Sequence, residues 1–430
     1  MLFRPKRTSC TACFSACCLT LCLIVALNSA RTPPLKSVGT LRRMKITNRA
    51  AHGLCRSSVA VQPPKPHRSV VVDSTASTYE RPPPSTGYLS SRIEKRLEEI
   101  LGDSSPTRVV DSWRYLSQDY EHREYVGTDP TKTPETSNCH QQAHSYVPGL
   151  PIKTFWDIEG EKWREALESK HEVIRDEFLK VIANPDFLAA NAQNAWVGAQ
   201  TGEARAYGLG WKTLGLLDRG VWDPVNAGLF PRTAEIIRDS GIPAVEAFFA
   251  SMEPESSIKL HSDNANFVLT SHLPLVVPDN GQNKCRLTIG DDTKEWLEGK
   301  MMMFDTSILH DAVNESDRKR YILMFRVWHP DLSAAERKAL QFALDSLSVE
   351  ELVSDDPAER AEAEKKVAAL RAFPDLRKSR PKVVPTSTSG QWKARIDDND
   401  TEMEKITKNK KKKKKAKKSS TSTGGGFGSR

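Results

Sequence analysis

The first 72 residues contain no aspartate or glutamate, against twelve Lys and Arg. The last 56 residues (375–430) lean the same way, with 17 Lys/Arg and 6 Asp/Glu. With a net charge of +8 overall, residues 73–374 therefore carry 8 − 12 − 11 = −15. The basic balance belongs to the two ends. A central region this acidic lacks the basic face that phosphate backbones require, which argues against a specific nucleic-acid partner. Cysteine is equally uneven. Five of the eight lie in the first 22 residues and Cys55 follows, leaving Cys139 and Cys285 for the body, with no CxxC pair there. That excludes a disulfide framework. The longest apolar run, Cys13–Leu27, is short for a bilayer span.

The ends read as addresses and tails. Residues 1–30 have a basic start, an apolar stretch and small residues, the form of a secretory signal peptide, with an uncleaved membrane anchor as the alternative. Residues 31–88 form a basic, then Pro/Ser-rich stem whose first part is transit-like, so the expected location is the secretory pathway, with the plastid second. Residues 377–430 end in KNKKKKKAKKSSTSTGGGFGSR, too polar to bury a core, and are expected to be disordered. Such a lysine run suits weak contact with an anionic membrane surface.

The middle divides further. Residues 89–144 hold one helix, 89–102, with Ile93, Leu97 and Leu101 at helical spacing, Ser90/Ser91 as cap and Gly102 as stop, followed by a linker. Residues 145–335 carry the globular pattern. EKWREALESKHEVIRDEFLKVIAN (161–184) is amphipathic and predicts one helix, and a second is expected over 232–240. Then the period drops to two. VEAFFASM, SIKL, FVLTSHLPLVV, CRLTIG, MMMFD and RYILMFRVW predict six short strands, with turns at PESS, DNGQNK, DDTKEWLEGK and NESDRK. Helices return after HPDLSAAER, over 336–376. Many strands with short turns beside helices predict an α+β, mainly β fold: a double-stranded β-helix, or jelly roll, with flanking helices.

Within that region His261 and Asp263 stand two apart, and His310 follows 49 residues after His261. Residues i and i+2 of an extended segment share a face, so His261 and Asp263 can point at one ion, with His310 arriving from a distant strand. Two imidazoles and a carboxylate on one face leave open positions on a divalent iron for a keto-acid and O₂. Taken singly, each residue also reads as a turn or strand-end polar group. Arg320, ten residues after His310, opens an apolar strand and can offer its guanidinium fork to a carboxylate. His272 sits inside VLTSHLPLVV, where an unpaired imidazole is costly.

Together these segments resemble the catalytic domain of the aspartyl/asparaginyl β-hydroxylase family. The matching pieces run in order: PGLPIKTFWD, GWKTLGLLDRG, LFPRTAEII, HSDNANFVLTSHLPLVVP, EWLEGK, FDTSILHDAVN and RYILMFRVWHPDLS. The resemblance implies an iron(II)- and 2-oxoglutarate-dependent dioxygenase that consumes O₂ and hydroxylates a substrate carbon. By position it implies His261 and His310 as metal ligands, and His272, Arg320 and Trp211 as co-substrate contacts. Two departures bear on the co-substrate site. A family serine falls on Ala250, with Ser251 beside it as the substitute, and a family arginine falls on Thr270. At Asp263 the animal members have glycine, so a complete set of His261, Asp263 and His310 is expected here. The substrate is an unidentified protein, possible Asp/Asn side chains included, or a small molecule. The competing expectations are a catalytically altered jelly-roll binding protein and a zinc or manganese enzyme of cupin type.

Overall fold

A computed structural model describes residues 82–102, 107–117, 124–126, 140–192, 196–198, 204–278 and 282–376. The expected signal segment, almost all of the stem and the Lys-rich tail lie outside the described residues. No helix among the described residues is long and apolar enough to cross a membrane.

All six predicted strands form. In chain order the main strands are β1 (Phe155–Trp156), β2 (Trp211–Asp218), β3 (Ala244–Met252), β4 (Ser256–His261), β5 (Val268–Val276), β6 (Cys285–Ile289), β7 (Asp292–Glu295), β8 (Met302–Phe304), β9 (His310–Asn314) and β10 (Arg320–Trp328). They make two antiparallel sheets. The larger runs β1-β8-β5-β10-β3-β2, extended by Val197–Gly198, and the smaller runs β7-β6-β9-β4. The inner faces meet in one core. Phe248, Ala250, Ile322 and Met324 come from the larger sheet, and Ile258, Leu287 and Ala312 from the smaller. This is the jelly roll that the strand pattern implied.

The burial patterns explain the two kinds of strand sequence. β3 and β10 are buried along almost their whole length because the larger sheet is covered twice. Its other face packs Phe249, Leu323 and Phe325 against Phe178, Leu167 and Ile237 from the helices. β6 alternates, since Arg286 and Thr288 face away from the core.

Three expectations needed correction. The helix predicted over 161–184 is two, Lys162–Glu168 and His171–Ile182. The apolar phase continues through Leu167 and Ile174, so sequence shows no break. The first helix ends where the Glu168 carboxylate accepts from Met301 N and Lys300 Nζ. The helix Tyr88–Leu101 starts at Gly87 with no side-chain cap; Ser90 Oγ donates back to Gly87 O instead. Gly102, at φ 63°, does terminate it. The linker after it also contains a helix, Arg108–Ser117, which packs with Tyr88–Leu101 and Ala334–Ser346 through Leu97, Trp113 and Leu340.

Candidate metal and anion site

β4 ends at His261 and β9 begins at His310, and these two residues are cross-strand partners. The antiparallel register thus cancels 49 residues of separation, leaving ring centroids 4.2 Å apart. Asp263 lies beyond the end of β4. Its backbone N–H donates to Thr306 O at 2.8 Å, so the loop before β9 draws it in rather than strand alternation. One ligand atom from each of His261, Asp263 and His310 lies within 4.8 Å of the others.

Both imidazoles are set the same way. His261 Nδ1 meets Lys259 O at 2.8 Å and His310 Nδ1 meets Ile308 O at 2.9 Å. A carbonyl only accepts, so in each neutral ring Nδ1 carries the hydrogen and Nε2 keeps its lone pair. His261 Nε2 is buried without a hydrogen-bond partner. Burial, with His261 beside it, depresses His310 to about 4, keeping it neutral at ordinary pH. Burial alone would raise Asp263, but Arg326, His310 and His261 outweigh it and hold the carboxyl well below the usual range. Two bare imidazole nitrogens and a carboxylate form a donor set for a divalent metal.

Next to this cluster stand hydrogen-bond donors with nothing to donate to. Arg320, at the start of β10, is fully buried, and its Nε and Nη1 have no partner. No described carboxylate pairs with it. Its guanidinium carbon lies 4.0 Å from the Trp296 ring centroid. Burial lowers Arg320 only to about 10, so it stays charged. Trp296 Nε1 donates to His272 Nδ1 at 3.0 Å. His272 is kept neutral by burial and by Arg320, so its hydrogen sits on Nε2, which is also unpartnered. Trp211 Nε1 is a further unpartnered donor. These groups line one cavity together with His261, Asp263 and His310. A buried guanidinium without a counter-ion costs several kcal/mol. Its fork, with two neutral N–H donors beside it, suits a carboxylate.

Residues 168–330 match the family Aspartyl/Asparaginyl beta-hydroxylase. Over these residues the chain is similar to that family, and the span holds every cavity residue named above. Human aspartate beta-hydroxylase domain-containing protein 2 is 29% identical over 206 residues, 46% of this chain and 53% of that protein. Human aspartyl/asparaginyl beta-hydroxylase is 28% identical over 45% of this chain and 25% of its own length. Ornithine lipid ester-linked acyl 2-hydroxylase of Rhizobium tropici is 28% identical over 44% of this chain and 64% of its own. The chain spans about half the length of the first relative and a quarter of the second. Among solved structures, a predicted oxalate decarboxylase from Thermotoga maritima aligns at 12% identity and TM-score 0.22, covering 32% of this chain and 97% of that one. The jelly roll rests on the strand order above, not on that likeness.

The structure brings the expected residues together unevenly. His261, Asp263, His310, His272, Arg320 and Trp211 all line the one cavity. Ser251 does not. Its neighbours on β3, Ala250 and Met252, face the inter-sheet core, whereas Ser251 pairs across with Tyr321 and Lys212 on the opposite face. Strand alternation forbids it from replacing a side chain at 250. Thr270, where the family resemblance implied arginine, has Arg326 as its cross-strand partner, so a guanidinium stands beside that position on the neighbouring strand.

Four residues escaped the sequence reading. Trp296 was part of a turn, and Tyr207 and Thr306 sat in segments without periodicity. Arg326 carried a usable signal, since a charge inside the apolar strand RYILMFRVW has the same cost that singled out His272.

Proposed function

We propose that this domain is an iron(II)- and 2-oxoglutarate-dependent dioxygenase that hydroxylates a C–H bond of its substrate. The observation that supports it most is the adjacency, in one cavity, of the His261/Asp263/His310 cluster and the unpartnered donors of Arg320, His272 and Trp211. Iron(II) with 2-oxoglutarate and O₂ supplies the oxidising power for C–H hydroxylation, with succinate and CO₂ as co-products. The chain supplies the rest. His261 and His310 present Nε2 lone pairs, and Asp263 an ionised oxygen, so the three residues would hold the metal. Arg320 would take the distal carboxylate through its fork, while His272 Nε2–H and Trp211 Nε1–H donate to co-substrate oxygens. Leu287, Met324 and Phe304 give the same cavity an apolar lining, which would lower the local dielectric and strengthen each of these interactions.

The substrate class follows from the relatives' names alone: an Asp or Asn side chain of a protein first, a lipid acyl chain second. A catalytically altered binding protein is the second reading, and the absence of a hydroxyl at Ala250 and of a guanidinium at Thr270 favours it. Succinate release by the purified protein separates these. Release that requires both added iron(II) and 2-oxoglutarate, and that a chelator stops, is the expected result. Binding of 2-oxoglutarate without succinate would point to the altered protein, and full activity with zinc in place of iron would refute the redox chemistry.

A further inference from the structure

Resting on the iron-binding reading above, we propose that Arg326 is a positioning residue for the metal site, holding one oxygen of Asp263 so that the other faces the two imidazoles. The two oxygens of Asp263 have different surroundings. Oδ2 pairs with Arg326 Nη2 at 2.5 Å. Oδ1 accepts from Tyr207 Oη at 2.8 Å and lies 3.7 Å from His261 Nε2. A carboxylate with two equivalent oxygens can rotate to present either; the guanidinium on Oδ2 removes that freedom.

Arg326 is itself fixed. Its Nη1 donates to Thr306 Oγ1 at 2.8 Å, and that hydroxyl lies 3.0 Å from Thr270 Oγ1 on the strand paired with β10. The carbonyl of the same Thr306 accepts from Asp263 N at 2.8 Å. One residue of the loop before β9 therefore anchors Asp263 through its backbone and through Arg326. The Arg326 and Asp263 side chains are 5% and 4% exposed. Ion pairs buried to this degree gain little net stability over apolar side chains of the same volume, because desolvating both charges cancels most of their attraction. Stability alone thus gives a poor account of a pair placed against the metal cluster, whereas orientation of a ligand gives a direct one. Tyr207 belongs to the same device. Its hydroxyl directs Oδ1, and its ring stands edge-on to His261 at 4.6 Å between centroids.

The test is titration of cobalt(II) into metal-free protein, read by calorimetry and by the cobalt visible absorption bands, on wild type, Arg326→Met, Arg326→Lys, Asp263→Ala and the double variant Asp263→Ala/Arg326→Met. Loss of an outer-shell partner of a metal ligand weakens metal binding about 10–100-fold. Arg326→Met should fall in that range, and Arg326→Lys, which keeps the charge but not the fork, should lose about tenfold. Should Arg326→Met fail to fold because it strands the buried Asp263 charge, Arg326→Lys decides the matter. The double variant should bind no more weakly than Asp263→Ala, since Arg326 acts through that carboxylate. Wild-type cobalt affinity in Arg326→Lys and Arg326→Met would overturn the proposal, as would a further tenfold loss in the double variant beyond Asp263→Ala. If those results came from protein that still binds iron and releases succinate, the dioxygenase reading would stand and only the role of Arg326 would fall. Wild-type protein that binds no metal would overturn both.

Discussion

Replacing Trp296 with phenylalanine isolates one hydrogen bond of the anion site. The tryptophan is 1% exposed, and its Nε1–H reaches His272 Nδ1 at 3.0 Å. Phenylalanine keeps an aromatic face beneath Arg320, whose guanidinium carbon lies 4.0 Å from the ring centroid. What it removes is the donor that places the His272 hydrogen on Nε2. A buried acceptor left without a donor costs about 1–3 kcal/mol. Alternatively the imidazole moves its hydrogen to Nδ1, and Nε2 then presents a lone pair to the anion. The first route costs fold stability in free and bound protein alike; the second is charged against co-substrate binding, where about 1–3 kcal/mol corresponds to about a 5–150-fold weaker Kd for 2-oxoglutarate. Calorimetric titration of the metal-loaded protein measures that loss. Nitrogen NMR of the imidazole reads the tautomer directly: Nε2–H in the wild type, Nδ1–H or a mixture in the variant. Wild-type 2-oxoglutarate affinity together with an unchanged Nε2–H tautomer would refute the reasoning, since His272 would then be oriented by something other than Trp296.

Other perturbations have equally definite outcomes. Arg320→Lys should raise the 2-oxoglutarate KM about 10–100-fold, because a single ammonium cannot reproduce the fork and burial favours its neutral form; steady-state succinate assays check it. Glu246 is raised to about 8 by burial and then by Asp218, against an ordinary 4.5. The folded state thus keeps a proton that the unfolded chain releases, so this contribution is complete below pH 4.5 and is lost as pH rises through 8. Melting temperatures across pH 5–9 should therefore decline less steeply for Glu246→Gln than for wild type, and parallel curves would contradict this. Ser333 caps the helix Ala334–Ser346 in a reciprocal box with Glu336. Ser333→Ala should cost about 1 kcal/mol in a denaturant titration, with the 2-oxoglutarate KM unchanged.

Much of the site was readable from residue chemistry in apolar or patterned contexts. His272 and Arg320 stood out because a polar group in an apolar strand demands a partner, and both prove to be buried with donor atoms unpaired. Arg326 satisfied the same criterion and passed unremarked, being read as part of a continuous apolar strand. Trp296 and Tyr207 gave no such signal, since an aromatic side chain is at home in any core and only its neighbours give its N–H or O–H a task. The break at Ser169–Lys170 was invisible for a related reason: Glu168 is held by Met301, which lies 133 residues away.

What the sequence determined by itself is the local period: two along the strands, near 3.6 along the helices, and hence a jelly roll flanked by helices. It also determined which side chains have chemistry to offer, because burial cost is a property of the residue and its immediate run. Which side chains share a cavity is a matter of register. His310 stands opposite His261 because β9 and β4 pair at that register, Asp263 turns inward because Thr306 holds its backbone, and Ser251 faces away because a strand reverses its side chains at every step. A shift of one residue in any of those pairings would leave composition and periodicity untouched and would dismantle the site.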